Sequence, residues 1–307
     1  MRKNPFVAFN LKFDINRVII MQLVNDPFKP EFWRIYAKER KKSFANHKIT
    51  TAKKWDGLAG HYRKYEQDDD FRRDQQWIIE QMHACHLLQP EYSVIDVACG
   101  PGTHCFHFAR QCKRVTALDV SPKMIAQLEA KKQEQQAENI EVVCSDFHRY
   151  KTEEKFDLVF VSMSPILNEL NAVDRLLALS SRYLALVYWA GVRDNPLYNH
   201  CYEMIFSEPY VWDPLDIVAI FNYLYSLGFS PEISFQHALW KRYDTLENTL
   251  QHTLWHLEFY RPLSTVEKGL VRKYLLEQAD ESGVVSYETR VRKGFIILDQ
   301  AAGIDDK

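Results

Sequence analysis

The chain has 307 residues, 46% of them hydrophobic and 26% charged, an ordinary balance for one large globular domain with additions or for two small ones. A formal charge of −2 argues against a broad nucleic-acid surface, because such binding is dominated by phosphate neutralisation. No apolar run reaches the roughly 18 residues of a membrane span, and the N-terminus lacks an apolar core before a small-residue cleavage site, so a cytoplasmic protein without a membrane partner is expected.

Residues 1–90 carry mostly helical signals. Residues 15–23 are apolar enough for a packed helix, Asp26-Pro27 and Lys29-Pro30 are breaks, and 31–42 predict an amphipathic helix bearing Phe32, Trp33 and Tyr36. After a connector at 48–51, Trp55, Leu58, Ala59 and Tyr62 follow i, i+3, i+4, i+7 and share one helix face. Asp68, Asp69 and Asp70 can cap a further helix, on which Phe71, Ile78, Met82 and Cys85 share a face until Pro90 stops it. The segment reads as a helical N-terminal extension and cap.

From residue 91 the pattern changes to alternating strands and helices. Residues 92–97 are a β-branched run read as a buried strand, and 103–112 place Cys105, Phe106, Phe108, Ala109 and Cys112 at helical spacing. The turn between them, 96–103 (DVACGPGT), holds Gly100 and Gly102, which lack Cβ and let a ligand approach. Free N–H groups at the helix start favour an anionic group there. The next strand, RVTALDV, puts Asp119 at its carboxyl end, where a carboxylate can accept hydrogen bonds from ribose hydroxyls. A nicotinamide dehydrogenase would need GxGxxG, and aligning its first two glycines with Gly100 and Gly102 puts Cys105 where the third belongs.

Further elements follow in order. A strand at 140–144 leads into Ser145, Asp146 and Phe147, and a strand at 158–161 leads into Ser162, Met163, Ser164 and Pro165. Ser121 and Pro122 open a helix bearing Met124, Ile125 and Leu128; 166–179 predict another, and 183–189 a fifth strand. Alternation over this length means a mostly parallel sheet covered on both faces, with ligands at the carboxyl ends of the strands. The motifs of 92–189 resemble those of the class I S-adenosylmethionine-dependent methyltransferases, with Ala98 where that family usually has its first glycine.

The resemblance implies a Rossmann-like, mostly parallel seven-stranded sheet with helices on both faces, and S-adenosyl-L-methionine as cofactor. It assigns cofactor contacts to Asp96, Ala98, Gly100, Gly102, Asp119, Val120, Met124, Asp146, Phe147 and Ser162, with Tyr62 from the cap. It also implies a core over 91–307. Here 233–238 form the sixth strand, 290–298 an antiparallel seventh, and a helical insertion at about 241–280 lies before that last strand. Asp213-Pro214 opens a helix that Gly228 closes, and Ser264 with Glu267 has capping-box spacing.

Six scattered cysteines without a CxxC pair read as reduced packing residues. His83, Cys85, His86, His104 and His107 lack a second half-site of matching kind, so no metal is expected. Methyl transfer is a displacement that gains most from alignment and exclusion of water, so no universal catalytic side chain is expected; His148, His200, Tyr62 and Tyr188 are the candidate bases. Residues 162–165 lack the Asn/Asp-Pro-Pro-aromatic motif of many nucleic-acid base methyltransferases, and Trp189, Tyr198, Tyr210, Trp212 and Tyr223 supply large apolar faces. A small-molecule acceptor is therefore expected. The alternatives are a non-catalytic adenosylmethionine-binding protein and a methyltransferase acting on RNA or protein.

Overall fold

The computed structural model describes residues 26–43, 52–65, 68–211 and 215–303. The expected helix at 15–23, the connector at 48–51, Trp212 and the Asp213-Pro214 pair lie outside them, as does the side chain of Tyr62.

Among the described residues three helices precede the sheet: α1 (Pro30–Ser43), α2 (Ala52–Tyr65) and α3 (Asp69–Ala84). Asp68 caps α3 by accepting from the Phe71 N–H at 3.0 Å, placing a carboxylate where the helix dipole favours it. The chain then alternates through β1 (Ser93–Val97), α4 (Cys105–Ala109), β2 (Arg114–Asp119), α5 (Pro122–Gln135), β3 (Ile140–Cys144), β4 (Phe156–Ser162), α6 (Leu170–Leu179) and β5 (Ser180–Asp194). It continues with α7 (Pro196–Phe206), α8 (Ile217–Ser226), β6 (Glu232–Thr245), α9 (Leu246–Leu257), α10 (Thr265–Gln278) and β7 (Val284–Asp299).

The seven strands form one sheet in the order β3-β2-β1-β4-β5-β7-β6. Pairing is parallel from β3 to β5, whereas β7 runs antiparallel to both β5 and β6. Strand order therefore reverses between β1 and β4, the place where such sheets open a crevice. One apolar face packs against α1, α6 and α8 and the other against α3, α4 and α5. The central strands β1 and β4 are buried almost throughout because both faces are covered.

Several boundaries differ from the sequence reading. The expected helix at 103–112 is a single short turn-and-a-half, α4, because the turn occupies its first residues. At 166–179 a short 3₁₀ turn, Pro165–Asn168, precedes α6. The N-cap of α8 is Asp216, whose carboxylate accepts from the Val218 N–H at 2.7 Å. Helix α7 was not anticipated: Asn195 caps it and Pro196 takes its first position, a pairing that also reads as a turn.

The largest difference is length. Strands β5, β6 and β7 run well past the apolar cores that mark them in sequence, so 241–245 are strand and the inserted helices occupy 246–278. The extension of β6 and β7 pairs in register from Ala238 with Val291 to Thr245 with Val284. Against it α7, α9 and α10 build a third apolar cluster around Cys201, Leu257, Val271 and Leu275. In α10 the Ser264–Glu267 capping box is complete, with both reciprocal bonds present.

Candidate functional site

The turn after β1 is held by backbone conformations that few residues tolerate. Ala98, Gly100 and Gly102 have φ of 59°, 56° and 81°. At Gly102 a Cβ would stand 2.8 Å from Leu128 Cγ, so glycine lets the turn press onto α5. At Gly100 a Cβ would meet nothing within 4 Å, because the space in front of that backbone is open. Alanine at 98 occupies the left-handed region at a cost of about 1–2 kcal/mol, which the surrounding bonds must offset.

Asp119 organises this turn. The Gly100 N–H donates to its Oδ2 at 2.9 Å and the Ser121 N–H to its Oδ1 at 2.8 Å, so the β1 and β2 loops are tied through one carboxylate. Burial raises its pKa, opposed by the N–H groups of Ser121, Gly100 and Val120. Each oxygen keeps a lone pair for a further donor. Asp96 sits behind the turn, 1% exposed, accepting from the Cys105 thiol at 3.2 Å. Burial pushes its carboxyl up to about 7.

A cavity of about 130 Å³ opens at these carboxyl ends. It brings together Ala98, Gly100, Asp119, Val120, Met124, Asp146, Phe147 and Ser162 from four different loops. Gly102 and Asp96 stand behind it rather than in its wall. Asp146 accepts from the His148 N–H at 2.8 Å, and Phe147 lies under the Arg175 guanidinium at 5.1 Å. The lining suits an adenosyl group, since it combines carboxylates, an apolar ring and open backbone.

Helix α2 borders this cavity. Asp56 of α2 accepts from the Ser121 hydroxyl at 2.6 Å and from the Lys123 N–H at 3.1 Å, docking α2 onto the start of α5. The Gln127 side chain donates to the Ala59 carbonyl at 2.7 Å. Trp55, adjacent to Asp56 in α2, lines the cavity.

A second cavity of about 350 Å³ adjoins the first, and Trp55, Met163 and Pro165 line both. Its far walls come from α3, β5, α9 and the extended β6–β7 hairpin. Tyr188 lines it, its hydroxyl accepting from Asn168 Nδ2 at 2.9 Å, while Asn168 Oδ1 accepts from the Leu215 N–H at 3.1 Å. Burial raises the Tyr188 pKa, so the phenol stays protonated at neutral pH. The other candidate bases are elsewhere: His148 lines the first cavity and His200 packs on Tyr274 at 4.4 Å. Of the aromatic residues singled out in sequence, Trp189, Tyr198 and Tyr210 face this cavity, whereas Tyr223 is core and bonds Asp174. Among the described residues no group of three metal-ligating side chains forms; His83 and His107 meet at 3.4 Å, with His104 buried apart from them.

Sequence reading missed Asn168, Arg193, Trp240, Trp255, Lys293 and Asp74 in the second cavity. One of these carried a signal: Asp74 falls on the same helix face as Phe71 and Ile78.

Residues 94–185 match a family model described as a methyltransferase domain. Nodulation protein S of Rhizobium tropici is 27% identical over 138 residues, 43% of this chain and 57% of that protein. Nodulation protein S of Sinorhizobium fredii is 26% identical over 106 residues, 33% of this chain and 48% of that protein. The chain thus spans about half the length of the curated relatives it matches. A crystal structure from Bacillus halodurans, of a candidate methyltransferase, shares 18% identity at a TM-score of 0.47, covering 72% of this chain and 97% of that one. The match lies on the strands that carry the first cavity, so residues 94–185 are a methyltransferase domain built on a Rossmann-like sheet.

Proposed function

We propose that the protein transfers a methyl group from S-adenosyl-L-methionine to a small molecule, with the cofactor in the first cavity and the acceptor in the second. The observation that carries this is the shared wall: Trp55, Met163 and Pro165 border both spaces, so ligands in the two would touch. The acceptor space has the volume of a small-molecule site and is lined mainly by aromatic side chains.

Bound in the first cavity, S-adenosylmethionine supplies an electrophilic methyl group on sulfur. Asp119 holds the ribose hydroxyls with its remaining lone pairs, Asp146 and Phe147 meet the adenine, and the open backbone at Gly100 admits the amino-acid tail. Asp96 supports the turn from behind. Trp55 and the α2 cap exclude water from the junction, and Tyr188, oriented by Asn168, positions the acceptor there. In this reading 1–90 act as the cap and 91–307 as the core. The setting is cytoplasmic, in keeping with six free thiols.

Calorimetry with S-adenosylmethionine and S-adenosylhomocysteine, followed by an acceptor screen reading homocysteine-nucleoside release, tests the proposal. Micromolar cofactor binding with turnover of a small molecule is expected. Absence of binding, or turnover only with RNA or protein, overturns it.

A further inference from the structure

The acceptor cavity has a chemical bias beyond its size. Its walls carry two tryptophan pairs, Trp55 with Trp255 at 5.8 Å and Trp189 with Trp240 at 5.9 Å, each inclined by about 60°. Such walls present ring faces and edges to a flat guest. A cavity of 150 Å³ accepts benzene, so about 350 Å³ takes roughly two fused rings with substituents.

The charged groups in these walls are mostly cations, and the buried polar atoms without a partner are the Gln75 Oε1 acceptor and the Trp240 N–H donor. Three charged residues of the lining are basic, Arg193, Arg242 and Lys293, and Asp74 alone is acidic. Asp74 is committed to Lys293 at 2.9 Å, and Arg242 is held by Asp68 at 2.8 Å from outside the lining. The Trp240 indole N–H is buried with no acceptor, and the Tyr188 hydroxyl, its oxygen already engaged by Asn168, has a hydrogen to give. Arg193 packs on the Trp189 ring at 5.1 Å and reaches within 3.5 Å of His256 Nε2. Burial, His252 and Arg193 together keep His256 neutral. A guest with a positive charge would meet like charge at this end, while an anion would meet a guanidinium in a water-poor, aromatic setting.

Resting on the methyl-transfer reading above, we infer that the acceptor is an aromatic acid, with one or two flat rings between the tryptophans and an ionised oxygen group directed to Arg193. The class excludes aromatic amines and aliphatic acids. The guanidinium serves as a specificity-determining group, and the rings provide the contact area.

The matched series indole-3-acetate, indole-3-acetamide and tryptamine holds the ring constant and varies the charge. Binding is read by tryptophan-fluorescence quenching and calorimetry on the full chain saturated with S-adenosylhomocysteine. The acid is expected to bind roughly tenfold or more tighter than the amide, with the amine weakest. Arg193→Gln should abolish the advantage of the acid and leave the amide within about twofold, and Arg193→Lys should retain part of it. Equal affinity across the series, preference for tryptamine, no binding by any member, or an advantage that survives Arg193→Gln overturns the inference. Homocysteine-nucleoside binding by each variant verifies folding. If wild type binds the nucleoside without charge preference in the indole series, the inference fails alone; if it does not bind the nucleoside, the methyl-transfer reading fails first.

Discussion

Lys293 Nζ of β7 lies 2.9 Å from Asp74 Oδ2 of α3, with only 3% and 8% of the two side chains exposed. Burial lowers the lysine pKa and Asp74 opposes the shift, so the carboxylate is what keeps the ammonium charged in the cavity wall. Asp74→Ala should strand a buried cation and cost about 3–5 kcal/mol, whereas the pair replacement Asp74→Leu with Lys293→Met should cost much less. Urea melts of the three proteins measure this. A single Asp74→Ala as stable as wild type would show that water reaches the lysine.

Asp119 combines two tasks, and substitution separates them. Asp119→Ala removes the acceptor for the Gly100 and Ser121 N–H groups as well as for a ribose, so melting temperature and cofactor affinity should both fall. Asp119→Asn keeps one oxygen and most of the shape. It should stay folded while losing roughly tenfold in S-adenosylmethionine affinity by calorimetry. Unchanged affinity in a folded Asp119→Asn protein would remove Asp119 from the ligand.

The two glycines of the turn should respond differently to alanine. Gly102→Ala forces a Cβ to 2.8 Å from Leu128 at φ 81°, so a loss of about 1–3 kcal/mol in stability is expected. Gly100→Ala meets no protein atom within 4 Å and should cost only about 1–2 kcal/mol of backbone strain. Its methyl group instead projects into the cavity, so cofactor affinity should drop more than stability. Thermal melts and calorimetry on both variants check the contrast.

Asp96 predicts a pH dependence. Its carboxyl titrates at about 7 in the fold against an ordinary 3.8, with burial the main cause. Between those values the folded state holds a proton that the unfolded chain has released, so stability falls as pH rises through this window. Asp96→Asn cannot ionise and retains an acceptor for the Cys105 thiol. The difference in melting temperature between Asp96→Asn and wild type should therefore widen in the mutant's favour from pH 5 to pH 8. A constant difference would mean that the carboxyl does not titrate there.

Legibility in the sequence followed chain separation. Asp119, Gly100 and the Ser121 cap lie within one strand–helix–strand unit, where the glycine turn and the end of an apolar run mark their places directly. The antiparallel β7 and the capping box of α10 were similarly local or carried by the family pattern. The extended hairpin was not visible, because beyond Ala238 the strand alternates between exposed and half-buried residues and carries charges such as Lys241 and Arg242. The Lys293–Asp74 pair was hidden for a different reason: nothing near either residue names the other, and only the packing of α3 on the sheet brings them together.

The long β6–β7 hairpin gives the molecule a division of labour along its chain. Donor-side residues come from α2 and from the loops between β1 and the 3₁₀ turn, while the distant walls of the aromatic cavity come largely from β5 onward. Changes confined to the hairpin therefore leave the Asp119 turn untouched. Such a scaffold can be recombined: its hairpin can be exchanged or randomised to select new guests, with nucleoside binding serving as a constant internal check that each recombinant still folds.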